Sequence, residues 1–336
     1  MLRFIVRRLL QAVLVLFIVS LLLFTWLRKL PGGPIDAILG ERATPETRAA
    51  LRKTLGLDQS IPVQYLHFLN NAIHGNFGTS TQVQTGTDAL DLFFQRLPAT
   101  VELSVLALIL AVITAIPLGY FAAKRHGGFL DTGSVVLSLV GVAVPVFFLG
   151  FVLKYFFSIE WHMLPPAGRQ NPDLDATRIT NFYVLDGLLT REYDAAWDAL
   201  KHLILPAITL ASVPFAVIFR ITRASVLEVL NEDYVRTAES KGLSERIIRG
   251  RHVLHNALLP VVTTIGLQVG ALLTGAVLTE TVFGYPGLGD ALAQAFRQRD
   301  YAVLQVLILA AALGYILVNL LVDVAYAIID PRIRTR

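Results

Sequence analysis

Apolar residues along this chain gather into six runs separated by polar segments. The runs are Leu9–Trp26, Leu103–Ala123, Val135–Phe157, Leu203–Phe219, Val261–Phe283 and Val303–Ile329. Each is long enough to cross a hydrocarbon core about 30 Å thick as a helix. Helix is the conformation expected for all six, because it satisfies the backbone polar groups internally where no water is at hand. Between the first two runs, the pattern predicts a polar helix over Pro45–Leu55, a break at Gly56-Leu57-Asp58, and an aromatic-containing helix near Val63–Ile73. The predicted fold class is all-α: a polytopic membrane protein with six transmembrane helices. Residues 1–98 form the first span with its polar region, and 99–334 a five-span core.

Composition agrees, since 54% of the 336 residues are hydrophobic and only 16% charged, too apolar for a soluble domain of this size. The charges sort by side. Arg3, Arg7 and Arg8 precede the first span, Lys124 and Arg125 follow the second, Arg220 to Arg251 lie between the fourth and fifth, and Arg332, Arg334 and Arg336 follow the sixth. The positive-inside rule assigns these segments, and both termini, to the cytoplasm. The net charge of +4 then reflects topology and gives no reason to invoke nucleic acid. The first run ends in Leu23-Phe24-Thr25-Trp26 without a small-residue cleavage pattern, so it is read as a retained helix and not a signal peptide. A chain with no cysteine has no disulfide, thiolate metal site or cysteine nucleophile.

The most distinctive polar segment is the insert at 231–260 between the fourth and fifth runs. Asn231 is suited to cap a short helix, Glu232 and Asp233 to its positive end, Lys241 to its negative end, and Gly242 to a left-handed stop. A second helix follows. At 100° per residue, Leu243, Ile247, Gly250, Leu254 and Leu258 fall on one side of it, and Glu245, Arg249, His252 and Asn256 on the other. The expected structure is a helix–turn–helix elbow at a membrane face.

Arg236-Thr237-Ala238, then Gly242, then Leu259-Pro260 resembles the "EAA" loop of ABC importer permeases. Arg236 in place of glutamate, and the long Gly242–Pro260 interval, resemble the dipeptide, oligopeptide and nickel branch of that family. The likeness continues through GLDQSIPVQYLHFL (56–69), RLPATVELS (96–104), AVPVFFLG (143–150), LPPAG (164–168), ETVFGYPGLG (280–289) and NLLVDVAYAIIDPRIR (319–334). Two acidic positions of the family differ: its LPGDP stands here as LPGGP, with Gly33, and its GDLG-like turn as Gly75-Asn76-Phe77-Gly78.

The resemblance implies a type I importer permease in a prokaryotic cytoplasmic membrane. Expected partners are a second related permease, two cytoplasmic ATPases that bind the ATP, and an external substrate-binding protein. The chain itself is expected to hold no cofactor. It implies that Asp233, Tyr234, Arg236, Thr237, Ala238, Glu239, Lys241, Gly242 and Leu243 couple to an ATPase. The implied cargo is a di- or oligopeptide, with nickel chelates, glutathione or another small solute as alternatives.

Ionisable residues inside apolar runs are functional candidates, because a charge at mid-helix costs ~2.5–3.5 kcal/mol on the insertion scale. Glu102, Lys154, Glu280 and Asp323 qualify. Glu102 and Glu280 lie near span ends and are expected in interfacial water; Lys154 is expected to snorkel; Asp323 is expected to pair with a basic residue. In the fifth run Gln268, Thr274 and Glu280 are candidates to line a translocation path, against the alternative that Gly266, Gly270, Gly275 and their polar neighbours serve helix packing. The segment near 159–202 is read as a mobile external loop, with a small lid or docking surface as the alternative. No phosphate-binding G-x-x-x-x-G-K-[ST] motif, zinc-hydrolase motif or nucleophile elbow occurs. Two rival classes are an ion-coupled carrier, disfavoured by the lack of two similar halves, and an intramembrane enzyme, which lacks a nucleophile.

Overall fold

The computed structural model describes residues 2–29, 35, 39, 44–54 and 56–329, with side chains for all of these except 2–5, 273–275 and 323–329. LPGGP at 30–34, the Thr274 and Asp323 side chains, and the terminal basic residues therefore lie outside the description. The helices are α1 (Leu2–Lys29), α2 (Pro45–Thr54), α3 (Ile61–Ile73), α4 (Ala89–Lys124), α5 (Phe129–Ala143), α6 (Val146–Lys154), α7 (Tyr183–Leu189), α8 (Tyr193–Leu230), α9 (Asp233–Ser240), α10 (Glu245–Ile247), α11 (His255–Phe283), α12 (Leu288–Gln298) and α13 (Tyr301–Ile329). Among the described residues, five helices are long and apolar enough to cross a membrane.

The third predicted span is the exception. Val135–Phe157 is not one helix but two, α5 and a second limb over Val146–Glu160, bent by 104°. Pro145 explains the break: it lacks an N–H to donate and forces the residue before it out of the helical region. Val144 is accordingly extended, at φ −78° and ψ 124°. A sixth span exists only if the bent pair is taken as one.

The chain divides into two compact units, Met1–Pro98 with Pro286–Arg336, and Ala99–Tyr285. The last helices thus group with the N-terminal residues and not with the spans that precede them in sequence. In the first unit α1 packs on α13 and α3, around Leu23, Leu27, Leu92, Ala295, Leu304 and Leu307. Asp300, at the start of α13, is fully buried. Its Oδ2 accepts from Ser80 Oγ (2.6 Å) and from the N–H groups of Thr81, Gln82 and Val83 (3.0, 3.0 and 3.1 Å). Those bonds satisfy the carboxylate and fix the 80–83 loop against the last span.

The second unit is built around α8, which packs on α11, α7, α5 and α6. Along α4, Ala99, Leu103, Ala107, Ala111 and Ala115 recur at four-residue spacing and are all buried. This stripe, alanine at every position but Leu103, permits close helix approach, the packing mode available where lipid supplies no hydrophobic drive. It joins one core with Leu205, Ile218, Phe219 and Phe283.

Candidate functional site

The elbow at the Lys124 end of the second unit begins with α9. Its first turn carries Asp233, which favours the positive end of the helix dipole. Glu232 occupies the cap position, extended at φ −72° and ψ 142°, with no side chain closing the turn. Asn231, read from sequence as that cap, instead donates from Nδ2 to Leu227 O (2.8 Å) and so finishes α8. The helix stops as expected: Gly242 adopts φ +70° and a Cβ there would meet nothing within 4 Å. Only the backbone conformation calls for glycine at this position.

One face of α9 holds the elbow down. Val235 and Ala238 are buried with Tyr120, Val226, Ile248, Val253 and Ala257. Burying a valine contributes about 1.5–3 kcal/mol, enough to seat a two-turn helix that would not be stable alone. The opposite face presents Asp233, Tyr234, Arg236, Thr237 and Glu239, and Lys241, Gly242 and Leu243 follow, all exposed. Of the predicted coupling residues, Ala238 is the one turned inward; it seats the helix and is not available to a partner.

The second limb departs from the 100° projection. Residues Ile248–Leu254 form a π-turn, in which one extra residue is accommodated per turn. The buried positions are Ile248, Val253, Ala257 and Val261, five residues apart across the π-turn and four apart after it. Ile247 and Leu243, expected on the apolar side, are exposed. Exposed ion pairs complete the elbow. Lys124 pairs with Glu245, and Arg236 lies 3.8 Å from Asp233. A partly buried clamp that the sequence reading missed ties α8 to the turn after α4. Arg223 in α8 donates to both oxygens of Asp131 (Nη2–Oδ2 2.8 Å), whose Oδ2 also accepts from Gly127 N at 2.9 Å. The available signal was an acid in the first turn of a helix just after Gly127-Gly128.

The far end of α4 carries a second polar cluster. From Lys124 to Glu102 is about 33 Å along the helix at 1.5 Å per residue. Neither Glu102 nor Glu280 lies in interfacial water as expected. Glu280 is fully buried and accepts from Thr100 Oγ1 at 2.7 Å. Glu102 pairs with Arg169 at 2.7 Å, the side chains being 10% and 4% exposed; it also accepts from Val184 N at 2.9 Å. Arg169 donates to Asn181 O (2.7 Å) and stacks on the Tyr183 ring at 3.8 Å, while Arg178 approaches that ring at 3.5 Å. Tyr285 lies nearby, its phenol pushed up by burial. Lys154 donates to Val282 O (3.0 Å), so its ammonium is used within the unit and is not carried outward.

The segment near 159–202 is folded, not the mobile loop expected. Asp186 is fully buried and gathers Thr180 Oγ1 (2.6 Å) and the N–H groups of Ile179, Thr180 and Asn181 (3.2, 2.9 and 2.9 Å). Burial, the largest single influence, raises its pKa, but the combined hydrogen bonds outweigh it and hold the carboxyl below its ordinary value. Gly187 permits α7 to sit against α8, since a Cβ there would lie 2.7 Å from Ala196 N.

The three candidate path residues all lie along α11. Gln268 is half-buried, the Thr274 side chain lies outside the description, and Glu280 is buried. Twelve residues of helix separate Gln268 from Glu280, about 18 Å.

Comparison with known proteins bears directly on this arrangement. Residues 115–335 match the model of the binding-protein-dependent transport system inner membrane component. The chain belongs to that family. Residues 1–104 match the N-terminal model of the same membrane components. The chain is 44% identical over 338 residues to the dipeptide transport system permease protein of Escherichia coli K12, covering 99% of each. It is likewise 44% identical over 337 residues to the di/tripeptide permease of Pseudomonas aeruginosa, 99% of each. To the dipeptide permease of Alkalihalophilus pseudofirmus it is 40% identical, over 99% of this chain and 100% of that one. It is thus a multi-pass inner-membrane permease component that works as part of an ABC transport system, and its family is one of transport subunits and not of enzymes.

Proposed function

We propose that this chain is one permease subunit of an ATP-driven peptide importer, and that α9 is its coupling helix. One observation carries the coupling assignment. A short helix is seated by Val235 and Ala238, and it presents Asp233, Tyr234, Arg236, Thr237 and Glu239 outward. A helix held by one apolar face, with a charged face left over, suits docking into a cleft on a soluble partner. The peptide assignment rests on the relatives, which are named as dipeptide and di/tripeptide permeases. Half of the translocation pathway comes from this chain and half from a second permease. Two cytoplasmic ATPases bind the ATP, and an external binding protein delivers the cargo. Nucleotide-driven closure of the ATPases moves α9 and the helix ends beneath it, and the permeases alternate between outward and inward access. Both termini are cytoplasmic.

Single cysteines test this, because the chain has none of its own. Ser60, Asp175, Gln298 and Ser244 are all exposed. Cysteine at Ser60, Asp175 or Gln298 should react with an impermeant maleimide from outside. Cysteine at Ser244 should react only after the membrane is opened, and more slowly when the ATPases are bound. Labelling of Ser244→Cys from outside would place the elbow on the wrong face for any ATPase and end the coupling assignment.

A further inference from the structure

We infer that a cavity beside the first turns of α8 is a subsite for the primary ammonium of a peptide N-terminus. It has a volume of about 500 Å³ and is bordered by Gly168, Gln170, Asn171, Asp198 and His202, among others. Asp198 and His202 are four residues apart in α8, so one face of the helix presents both. The His202 side chain is 8% exposed. Its Nδ1 lies 2.9 Å from Asp198 O, the bond of a ring that carries its proton on Nδ1. The opposite edge faces away from α8 toward Gly168, where a Cβ would lie 4.0 Å from His202 Cδ2. On that edge Nε2 is a lone-pair acceptor with no partner among the described residues. Asp198 is also only half used. Its Oδ2 accepts from Asn171 N at 2.7 Å and lies 3.4 Å from His202 Nδ1, whereas Oδ1 has no hydrogen-bond partner among the described residues. The neighbouring Lys201 is turned to the Trp197 ring, at 5.8 Å, and supplies no counter-charge. The walls are fixed: Gln170 Nε2 donates to Ala195 O (3.1 Å) and Gly168 N to Phe283 O (3.0 Å).

These two groups select the ligand. A carboxylate and a lone-pair nitrogen both accept hydrogen bonds, and the carboxylate has no Lys or Arg beside it, so the complementary group is a cationic donor. An ammonium brings three N–H groups and can serve both acceptors at once. A zinc ion takes three or four protein ligands, and among the described residues no third His, Cys, Asp or Glu joins this pair. From His202 to Leu230 is about 42 Å along α8 at 1.5 Å per residue, more than the ~30 Å hydrocarbon core. With the elbow in the cytoplasm, the cavity therefore lies at the external end of the unit, where cargo arrives. The cargo assignment rests on the peptide importer and topology proposed above; the ammonium chemistry rests on Asp198 and His202 alone.

The test uses the permease–ATPase complex without its binding protein, in phosphatidylcholine nanodiscs, with dialanine as the probe. Saturation-transfer NMR should show dialanine bound and N-acetyl-dialanine unbound. Asp198→Asn keeps an acceptor for Asn171 N but loses the charge, and should weaken dialanine about tenfold. His202→Phe removes the Nε2 lone pair and should weaken it in the same direction, while the ATPases co-purify with both variants. Equal binding of dialanine and N-acetyl-dialanine, or unchanged dialanine binding in either variant, would overturn the subsite. So would displacement of dialanine by phosphatidylethanolamine, which would assign the ammonium to a lipid headgroup. Uptake by vesicles with the binding protein present separates the two readings. Import of dialanine with no binding at the complex would remove the subsite and leave the peptide importer standing. Binding that depends on Asp198 without any import would keep the ammonium site and remove the peptide importer.

Discussion

The two ends of the second unit are polar for opposite reasons. At the elbow, charges face solvent: Lys124 and Glu245 are 46% and 74% exposed, Arg236 and Asp233 66% and 97%. At the far end they are inside, with Arg169 4% and Glu102 10% exposed, and Glu280 and Asp186 fully buried. Exposed pairs contribute little to stability, because water screens them and two long side chains must be ordered. A buried pair is different: once assembled, removing one partner strands an uncompensated charge. The elbow is held by apolar contacts at Val235 and Ala238 and leaves its charges free to meet another surface. The far end spends its charges on itself, tying the 159–202 segment to α4.

Breaking the buried pair should have the largest effect. Arg169→Ala leaves Glu102 without its cation and should destabilise the chain by ~3–5 kcal/mol. Arg169→Met with Glu102→Gln should recover much of this. Thermal unfolding of the detergent-solubilised chain reads both; equal losses in single and double variants would show that the pairing is not the cause.

Asp186 should give the next largest effect, and a local one. Asp186→Ala leaves three N–H groups and a hydroxyl without their acceptor, worth ~1–3 kcal/mol each where the site stays buried. Because the folded carboxyl sits below its ordinary pKa, it adds stability above the unfolded value near 4. That contribution is lost as pH falls below about 4 toward the folded value. Hydrogen exchange at Ile179–Asn181 should quicken in that window, and stay independent of pH-linked protection in the variant once intrinsic exchange is corrected for.

At the elbow, Gly242→Val should cost about 1 kcal/mol or more from backbone conformation, since a Cβ there meets nothing within 4 Å and the cost comes from the positive φ. Membrane insertion should survive while dipeptide uptake and ATPase co-purification fall. Normal uptake with normal ATPase binding would detach the elbow from coupling. The smallest effect should come from Lys124→Ala with Glu245→Ala: a double-mutant cycle on unfolding should show no measurable coupling, and a large one would erase the contrast between the two ends.

Much of this was legible in the sequence because it depends on local rules. Gly242 stops α9 because an L side chain resists φ +70°. The limits of α2 and α3 follow from Pro45, Gly56 and the apolar pattern. The break in the third span was also written locally, at Pro145, yet an apolar run was read through it, because hydropathy measures length and composition and not direction. The π-turn at Ile248–Leu254 left no such mark, and it moved Ile247 out of the face that a regular helix would have given it.

The sequence by itself determined the class, five of the six spans, the first helix of the elbow and the family motifs, since each rests on the solvent preference of residues near one another in the chain. Only the tertiary structure decided which charges are buried and paired. Glu102 with Arg169, Asp131 with Arg223 and Asp300 with Ser80 lie 67, 92 and 220 residues apart. No periodicity connects such positions. An acid near a span end looks hydrated until the fold brings its donor to it.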